Sequence, residues 1–237
     1  MPDTHTNGPG NPDHATGRVR RSSLSWAKRS LDVVSSATGL ILLLPVLGGL
    51  ALWIRVTMGS PIFFRQPRPG LGGEIFGLIK FRSMRDPRPG EDGPDFDAQR
   101  ITRLGRFMRS TSLDELPTLW NVLRGDMSLV GPRPLLVRYL ERYSPSQARR
   151  HEVRPGITGW AQIHGRNVTS WDERLAYDVY YVDNQSLIMD LKILVGTIKP
   201  VVFRSGIQHE SHGTMPEFLG STGDDAGPDP SSSEPET

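Results

Sequence analysis

The sequence predicts an α+β fold that is anchored in a membrane, and three observations lead to this prediction. Residues 38–54 form an apolar run of roughly 17 residues, close to the shortest helix that can span a bilayer. Residues 61–84 contain two strand-like stretches around a Pro-Gly-rich turn, which is the pattern of a β-hairpin. From Trp171 onward, apolar residues recur at helical spacing. We therefore expect a membrane helix, a hairpin and several helices of one small domain.

The composition divides the chain into four segments. Residues 1–22 and 207–237 are rich in Gly, Pro and polar residues and have few large apolar side chains, so we expect both to be disordered. Residues 23–58 should hold the membrane-embedded helix. Residues 59–206 remain for one cytoplasmic domain, which is long enough to bury a single core.

Basic residues are confined to the first 206 residues. The formal net charge is only +2, because seven of the 26 acidic residues lie in the C-terminal tail, which has no Lys or Arg. A basic domain favours phosphorylated ligands, nucleic acid or anionic lipid. Nucleic acid is disfavoured, since no recognition-helix, RNP or zinc-finger pattern is present and the apolar run indicates a membrane. The absence of cysteine excludes disulfides and thiol catalysis.

The apolar run contains Pro45 at its middle, where a proline removes a backbone hydrogen bond and kinks a helix. Basic residues flank the run on both sides: Lys28, Arg29, Arg55, Arg65 and Arg68. Both flanks therefore favour the cytoplasmic side. A kinked helix that enters the membrane and returns to the same face satisfies both observations. From the residues alone, an ordinary spanning helix fits about equally well.

The middle of the chain is predicted to be irregular. Residues 86–99 form a polar loop, and residues of about 113–123 form a helix. After the G-P-R-P motif, residues 134–150 are a helical stretch, and residues 154–167 are a loop with a short strand. Two further helices follow, over residues 171–182 and about 187–204. The last one interleaves basic and apolar residues. It therefore either lies in a membrane interface or packs its apolar side on the core.

Asp114 and Glu115 are the residues best suited to carry chemistry. With Ser112 they fit a capping box at a helix start, and most such tetrapeptides are only caps. The basic residues around them change this expectation: Lys80, Arg82, Arg85, Arg103, Arg106, Arg109, Arg124 and Arg133. Carboxylates among basic groups at a helix N-terminus suit a phosphoryl site, with an ionised Asp114 as nucleophile. Mg²⁺ is the expected ion, because it binds through one or two carboxylates and substrate phosphates.

Other polar residues are weaker candidates. No Walker motif and no Ser-His-Asp arrangement is visible. His151 and His164 are isolated, and we expect surface or structural roles for both. Asp178, Asp183 and Asp190 on the late helices could join a site, but positions on helix surfaces are the better expectation.

Six motifs in order resemble the bacterial sugar transferases, the monotopic phosphoglycosyl transferases that begin exopolysaccharide, O-antigen and glycoprotein glycan assembly. The resemblance runs from about Lys28 to Gly206. The motifs are K-R-S-L-D (28–32), G-S-P-I-F-F-R-Q (59–66), K-F-R-S-M (80–84), R-S-T-S-L-D-E-L-P (109–117), L-W-N-V-L-R-G-D-M-S-L-V-G-P-R-P (119–134) and R-P-G-I-T-G-W-A-Q (154–162).

The resemblance implies a reaction in two steps. Asp114 would attack the β-phosphorus of a UDP-sugar, so that UMP leaves and a covalent phosphosugar remains on the enzyme. A polyprenol phosphate, usually undecaprenyl phosphate, would then accept the phosphosugar. Glu115 would bind Mg²⁺ with Asp114 or deprotonate the acceptor. Arg133 would hold phosphates, with Arg109 and Lys80 as helpers.

The resemblance also implies a re-entrant helix that breaks at a proline, which Pro45 matches, on the cytoplasmic face of the bacterial inner membrane. Leu44 stands where relatives commonly have serine, so the group that satisfies the backbone at the kink stays open. The chain resembles the compact form of the family, without an N-terminal membrane bundle, and a homodimer is compatible with it.

Two rival functions remain open in the sequence, and the transferred sugar is undetermined. The chain could be a non-catalytic membrane scaffold of glycan assembly, which the intact carboxylate pair disfavours. It could also be a lipid-diphosphate hydrolase that uses the same phosphate site. Glucose, galactose and N-acetylated sugars all occur among relatives. Residues 154–167, with Arg166, are the candidates for sugar specificity.

Overall fold

A computed structural model describes residues 13–91, 96–164, 170–202 and 217–220, with side chains from Trp26 to Ile198 and at 217–220. The mixture of helices and small sheets confirms the α+β class. The helices are α1 (Asp13–Leu42), α2 (Leu44–Met58), α3 (Asp97–Arg100), α4 (Arg103–Ser110), α5 (Thr118–Arg124), α6 (Pro145–Ala148), α7 (Trp160–His164), α8 (Trp171–Asp183) and α9 (Leu187–Val202). The strands are β1 (Phe63–Pro69), β2 (Ile75–Phe81), β3 (Ser128–Val130) and β4 (Gly156–Thr158).

The apolar run is divided into two helices that meet at Leu43. The segment Trp26–Leu42 of α1 and the whole of α2 are bent by 61° at this break, and Pro45 lies in the first turn of α2. The bonds Leu43 N to Gly39 O and Leu47 N to Leu43 O keep the helical pattern on both sides. Among the described residues no single helix is long and apolar enough to cross a membrane, whereas the bent pair together meets that criterion.

Helix α1 begins at Asp13, inside the segment for which composition predicted disorder. Pro12 immediately precedes it, and no other proline follows before Pro45. Proline favours a helix start and disrupts a helix interior, so α1 begins directly after Pro12 and ends three residues before Pro45. The helix therefore extends further toward the N-terminus than the polar composition suggested.

The predicted hairpin is confirmed, and helix α5 is hydrogen-bonded to the edge of β2 that faces away from β1. Strands β1 and β2 are antiparallel, with Phe63 opposite Phe81. Along the other edge of β2, Asn121 Oδ1 accepts from Ile79 N at 3.0 Å and Asn121 Nδ2 donates to Gly77 O at 2.9 Å. Thr118 Oγ1 donates to Ile79 O. These side chains satisfy strand groups that would otherwise lack partners, so α5 and the segment before it are placed against β2.

The predicted helix over residues 113–123 is wrong at its N-terminus. Residues Leu113–Glu115 form a separate 3₁₀ turn, and α5 begins only at Thr118, after Pro117. Ser112 has a left-handed backbone, with φ of 56°, and its side chain caps no backbone N–H. The capping box fails because this backbone does not fit an N-cap, and because Glu115 bonds elsewhere. A capping box is formed instead by Ser144 and Gln147 at α6.

A second, parallel sheet that the sequence did not predict joins two of the motifs. Strands β3 and β4 pair directly, and beyond them Gly131 N donates to Thr158 O while Gly156 N donates to Pro132 O. A Cβ atom on Gly156 would lie 2.1 Å from Gly131 N, and one on Gly131 would lie 2.3 Å from Arg154 O. Only glycine permits this approach of the two backbones. The G-P-R-P motif is therefore held against R-P-G-I-T-G.

The remaining predictions on the fold have mixed outcomes. Helices α8 and α9 are confirmed. The stretch 134–150 is helical but broken into short turns, over Val137–Arg142, Pro145–Ala148 and Arg149–Glu152. In the tail predicted to be disordered, residues 217–220 are packed on the domain, and Phe218 is buried. An average over the composition of a tail does not detect one aromatic residue that fits a pocket. Predictions on residues 1–12, Arg166 and the rest of the tail fall outside the described residues.

Candidate active site

The two candidate carboxylates lie in the 3₁₀ turn before α5, and cations meet there from two other elements. Asp114 is only 8% exposed. Glu115 Oε1 accepts from Lys80 Nζ at 2.6 Å and from Arg133 Nη2 at 2.7 Å. Lys80 comes from the end of β2, and Arg133 follows β3 in the G-P-R-P motif. The structure thus brings together four of the residues that the sequence singled out.

Glu115 is strongly held in its ionised form. Burial raises the pKa of this carboxyl, but the positive charges of Arg133 and Lys80 and their hydrogen bonds outweigh burial and lower the pKa to about 2. A carboxylate with so low a pKa is a weak proton acceptor near neutral pH. Glu115 is therefore suited to hold cations in place rather than to remove a proton.

Arg133 belongs to a larger group of arginines that the sequence did not assign to the site. Arg150 Nη2 donates to Arg133 O at 2.7 Å and also to Asp178 Oδ2 at 2.7 Å, deep in the protein. Arg174 lies over the ring of Trp171, with 5.5 Å from Cζ to the ring centroid. Burial lowers the pKa of Arg174, and the charge of Arg133 lowers it further, against the opposing effect of Asp178. Positive charge thus accumulates around Arg133.

Arg68 of β1 adds a cation to this group. Its Nη2 donates to Gln66 Oε1 at 2.7 Å, whereas its buried Nε has no hydrogen-bond partner among the described residues. Burial, and next the charge of Arg133, lower the pKa of Arg68 to about 10. The adjacent Pro69 lines a small cavity together with Arg133. A buried, unsatisfied N–H in a field of positive charge is a site where an anion would be stabilised.

Several basic residues around the carboxylate pair in sequence lie elsewhere. Arg109 Nε donates to Ser83 Oγ at 3.1 Å, and among the described contacts it forms no ion pair with either carboxylate. Arg82 bonds Met58 O at the end of α2, and Arg85 pairs with Glu91. The side chains of three others are exposed: Arg103, Arg106 and Arg124. Proximity in sequence was therefore a poor guide to which cations reach Glu115.

The prediction that Asp178 and Asp190 lie on helix surfaces is wrong. Asp178 is buried against Arg150, and Asp190 is 2% exposed. Asp190 Oδ2 accepts from Lys28 Nζ at 2.6 Å, and Tyr181 OH donates to Asp190 Oδ1 at 2.7 Å. Both aspartates fall on the buried stripes of α8 and α9, beside Leu175 and Ile193. A charged residue on an apolar stripe was the available signal that each has a buried partner.

The remaining acidic and histidine candidates behave as expected. Asp183 is at the surface, where it pairs with Arg149. His151 Nδ1 lies 3.3 Å from Gly70 O, and burial lowers the pKa of its ring to about 4. His164 Nδ1 lies 3.1 Å from Trp160 O within α7, and its ring packs on that of Trp160. Both histidines thus contact backbone carbonyls of the domain, which is compatible with the surface or structural roles that we expected.

The base of α1 is bonded to the strand that leads to Arg133. Lys28 Nζ also donates to Val130 O at 3.0 Å, and Leu129 N donates to Asp32 Oδ1 at 3.0 Å. Arg29 donates to Val122 O and Leu123 O at the C-terminal end of α5. Lys28 and Arg29, which the sequence assigned to the membrane flank, thus bond to the domain itself.

The residues present are compatible with a Mg²⁺ ion only as part of a complex with substrate. The described residues hold no cluster of three or more His, Cys, Asp or Glu side chains. Asp114 and Glu115 are adjacent in the chain, and both ion pairs that Glu115 forms among the described residues use Oε1. Mg²⁺ commonly takes one or two carboxylates and completes its octahedron with phosphates and water. The donor set fits that mode of binding.

Comparison with known proteins gives consistent relatives. The family model for bacterial sugar transferases matches residues 23–204. The chain is 55% identical over 168 residues to the uncharacterized sugar transferase EpsL of Bacillus subtilis (strain 168), covering 71% of this chain and 83% of that protein. It is 44% identical over 195 residues to a UDP-glucose:undecaprenyl-phosphate glucose-1-phosphate transferase of Caulobacter vibrioides, covering 77% and 72%.

A longer relative is matched over part of its length. The chain is 42% identical over 206 residues to the undecaprenyl-phosphate galactose phosphotransferase of Salmonella typhimurium, covering 79% of this chain but only 43% of that protein. The chain therefore spans less than half the length of this relative.

Proposed function

This chain belongs to the bacterial sugar transferase family, and from that premise we propose that it transfers a phosphosugar from a UDP-sugar to a membrane polyprenol phosphate, in bacteria undecaprenyl phosphate. It is a phosphoglycosyl transferase. The observation that carries the proposal is the pair Asp114 and Glu115, with Glu115 bound by Lys80 and Arg133. Positive charge beside a carboxylate pair suits attack on a diphosphate, because it offsets the repulsion between carboxylate and phosphate.

In the first step, a carboxylate oxygen of Asp114 attacks the β-phosphorus of the UDP-sugar. An O–P bond forms, the bond from this phosphorus to the bridging oxygen breaks, and UMP leaves with that electron pair. As a carboxylate, Asp114 needs no base to attack. Arg133 and Lys80 would stabilise the charge that develops on the phosphoryl oxygens. Glu115 positions both cations without losing its own charge.

In the second step, an oxygen of the polyprenol phosphate attacks the same phosphorus and the bond to Asp114 breaks. The products are the polyprenyl diphosphosugar and the free Asp114 carboxylate. A phosphate monoester is largely ionised at pH 7, since its second pKa is about 6. The acceptor therefore needs no strong base, which agrees with the low pKa of Glu115. We assign Glu115 to charge organisation and metal binding rather than to proton removal.

A Mg²⁺ ion is part of the proposal. Asp114 and Glu115 would hold it together with the phosphates of the donor. When bound, it supplies positive charge that offsets the repulsion between carboxylate and phosphate.

The membrane placement is also a proposal, and it rests on exposed apolar side chains. Helix α2 has 15 residues, about 22 Å at a rise of ~1.5 Å per residue, whereas a bilayer core is about 30 Å thick. Many large apolar side chains of the two bent helices and α9 are exposed: Ile41, Leu42, Leu44, Leu52, Val56, Ile188, Leu191, Val195 and Ile198. So large an apolar surface indicates contact with lipid. We propose a re-entrant α1–α2 pair, with α9 at the cytoplasmic interface of the inner membrane.

The function is tested by UMP release from a panel of UDP-sugars, with purified protein, Mg²⁺ and undecaprenyl phosphate. UMP from one sugar, with an equal amount of lipid-linked product, supports the transferase and identifies the donor. Free sugar phosphate without lipid product would favour the hydrolase. No UMP from any sugar, and no phosphosugar adduct by intact mass, would favour the scaffold. Light scattering of the same preparation tests the homodimer, which stays a prediction.

Arg68 is expected to bind a phosphate of the donor. Arg68→Gln should weaken the binding of inorganic pyrophosphate by roughly 10- to 100-fold, because a hydrogen bond to a charged group contributes about 1.5–3 kcal/mol. Titration calorimetry without donor or acceptor measures the change. The matched control is Arg65→Gln, since Arg65 lies on the same strand but is exposed and points to the other face. Equal losses in both variants would contradict a specific role.

Pro45→Leu is expected to favour a helix that spans the membrane. Leucine restores the backbone N–H that proline lacks and removes the steric cause of the kink. The sequence has no native cysteine, so single cysteines at Gly10 and Arg103 can be labelled with an impermeant maleimide in oriented vesicles. The variant should place the two positions on opposite sides, whereas the control Val46→Leu should leave both in the cytoplasm. Unchanged labelling in Pro45→Leu would show that this proline does not determine the topology.

A further inference from the structure

Phe218, in the acidic tail, fills a pocket in the catalytic domain. Its side chain is 1% exposed. The ring centroid lies 5.5 Å from that of Tyr143 in a stacked arrangement, 5.6 Å from Tyr139 edge-on and 5.5 Å from Trp171. Leu135 completes the same buried cluster. Aromatic contacts of this kind stabilise beyond the burial of apolar area.

Polar contacts fix the register of the tail at this pocket. Glu217 Oε1 accepts from Arg142 Nη1 at 2.8 Å and lies 3.2 Å from Arg138 Nε. The hydrogen bond from Arg142 lowers the pKa of Glu217. The backbone takes part as well, since Arg142 Nη1 donates to Phe218 O and Phe218 N donates to Tyr139 OH. The pocket therefore binds an acidic residue followed by an aromatic one.

The contact is selective for Phe218. The next residue, Leu219, is 80% exposed although it is also large and apolar. General burial of apolar side chains would not distinguish the two. The family match covers residues 23–204, so Phe218 lies outside the region shared with the family model, whereas the pocket that holds it lies inside.

The wall of this pocket is bonded to the arginines of the candidate active site. Tyr143, which stacks on Phe218, accepts from Arg150 Nη1 at 2.9 Å through its hydroxyl. Arg150 in turn bonds Asp178 and the carbonyl of Arg133. Trp171, on another wall, lies under Arg174. Removal of Phe218 would leave Tyr143 and Trp171 without a packing partner on one side.

We propose that Glu217 and Phe218 form a docking motif through which the C-terminal tail of this chain occupies the pocket of Tyr139, Tyr143 and Trp171, and that docking positions Arg150 and Arg133. The occupant is the chain's own tail. The docking stands independently of the proposed function, whereas the positioning of the arginines rests on it.

The test compares full-length Phe218→Ala with full-length Leu219→Ala, the matched exposed control. The rate of amide hydrogen exchange in residues 135–143 measures whether the tail is docked. Loss of a buried Phe side chain should lower the equilibrium constant for docking by about 100-fold, and the exchange rate of residues 135–143 should rise accordingly. In Leu219→Ala the exchange rate should be the same as in the unchanged protein. Phe218→Leu should lie between them. Glu217→Gln, which leaves the aromatic core untouched, should raise exchange by a smaller factor and gives the answer if Phe218→Ala does not fold.

The positioning of Arg150 and Arg133 is measured by the affinity for inorganic pyrophosphate. This measurement needs no turnover and therefore neither donor nor acceptor. We expect about tenfold weaker binding in Phe218→Ala and no change in Leu219→Ala. Equal exchange in the two variants would overturn the docking. Faster exchange with unchanged pyrophosphate affinity would overturn the positioning of Arg150 and Arg133. Failure of UMP release in the unchanged protein, with both effects present, would overturn the proposed function and leave the docking intact.

Discussion

Asp114→Asn is expected to abolish UMP release, by about 10⁴- to 10⁶-fold, which is the range observed when a catalytic nucleophile is removed. An amide oxygen is a far weaker nucleophile than a carboxylate, so the variant cannot hold a phosphosugar at this position. The fold should persist, because an asparagine side chain has nearly the same shape and the backbone bonds of the turn, Glu115 N to Ser112 O and Leu116 N to Leu113 O, do not involve the side chain. UMP release and intact mass in the absence of acceptor measure the two parts of this prediction.

Glu115→Gln is the control for Asp114→Asn, since it changes the adjacent carboxylate in the same way. It removes the charge that holds Lys80 and Arg133 but leaves the nucleophile in place. Its phosphosugar adduct should still form, though more slowly. If Asp114→Asn kept near-normal turnover, or if only Glu115→Gln lost the adduct, Asp114 would not be the nucleophile. Melting temperatures of both variants similar to that of the unchanged protein would show that neither loss of activity is a loss of fold.

Asp190→Asn is expected to cost about 3–5 kcal/mol of stability, the largest structural effect that we predict. Asp190 and Lys28 are both buried, and Lys28 Nζ has Asp190 and Val130 O as its partners. Loss of the carboxylate would leave a buried ammonium without a counterion, which is more costly than loss of an exposed pair. Thermal and denaturant unfolding of the purified protein in one detergent measure the cost.

Asp183→Asn is the matched control for Asp190→Asn. Asp183 pairs with Arg149, but about 45% of its side chain is exposed, so its loss should cost less than about 1 kcal/mol. A second comparison replaces both buried charges, with Lys28→Met and Asp190→Leu together. The double variant should recover much of the stability, because neither charge is then left unpaired. If Asp190→Asn were no more destabilising than Asp183→Asn, the buried pair would not anchor α1 to the domain.

The local structure was largely predictable, because it depends on the pattern of a few neighbouring residues. Alternating side chains around a Pro-Gly turn predicted the hairpin, and apolar spacing predicted α8 and α9. Pro45 predicted the break in the apolar run, since proline cannot continue a helical hydrogen-bond ladder. The motifs around Asp114 and Glu115 led to the family. Each of these predictions needs only a residue and its close neighbours in sequence.

The partners of the site residues were not predictable from sequence spacing. The sequence named Arg133, Lys80 and Arg109 together, but among the described contacts only Arg133 and Lys80 bond Glu115, whereas Arg109 bonds Ser83. Arg68 was assigned to the membrane flank and instead lies near Arg133. The capping box around Ser112 satisfied every local rule and did not form. Where a side chain has both a local and a distant partner, packing of the whole domain determines which one it bonds.

The sequence by itself determined the family, the carboxylate pair, the hairpin and the kink at Pro45, because each depends on residue types within one short segment. Only the tertiary structure decided which cations surround Glu115, that Lys28 pairs with Asp190 across 162 positions, and that Phe218 is inserted in the domain. A buried charge or aromatic ring takes its energy from the groups that folding brings around it. Those groups come from segments that are distant in sequence, so only the tertiary structure identifies them.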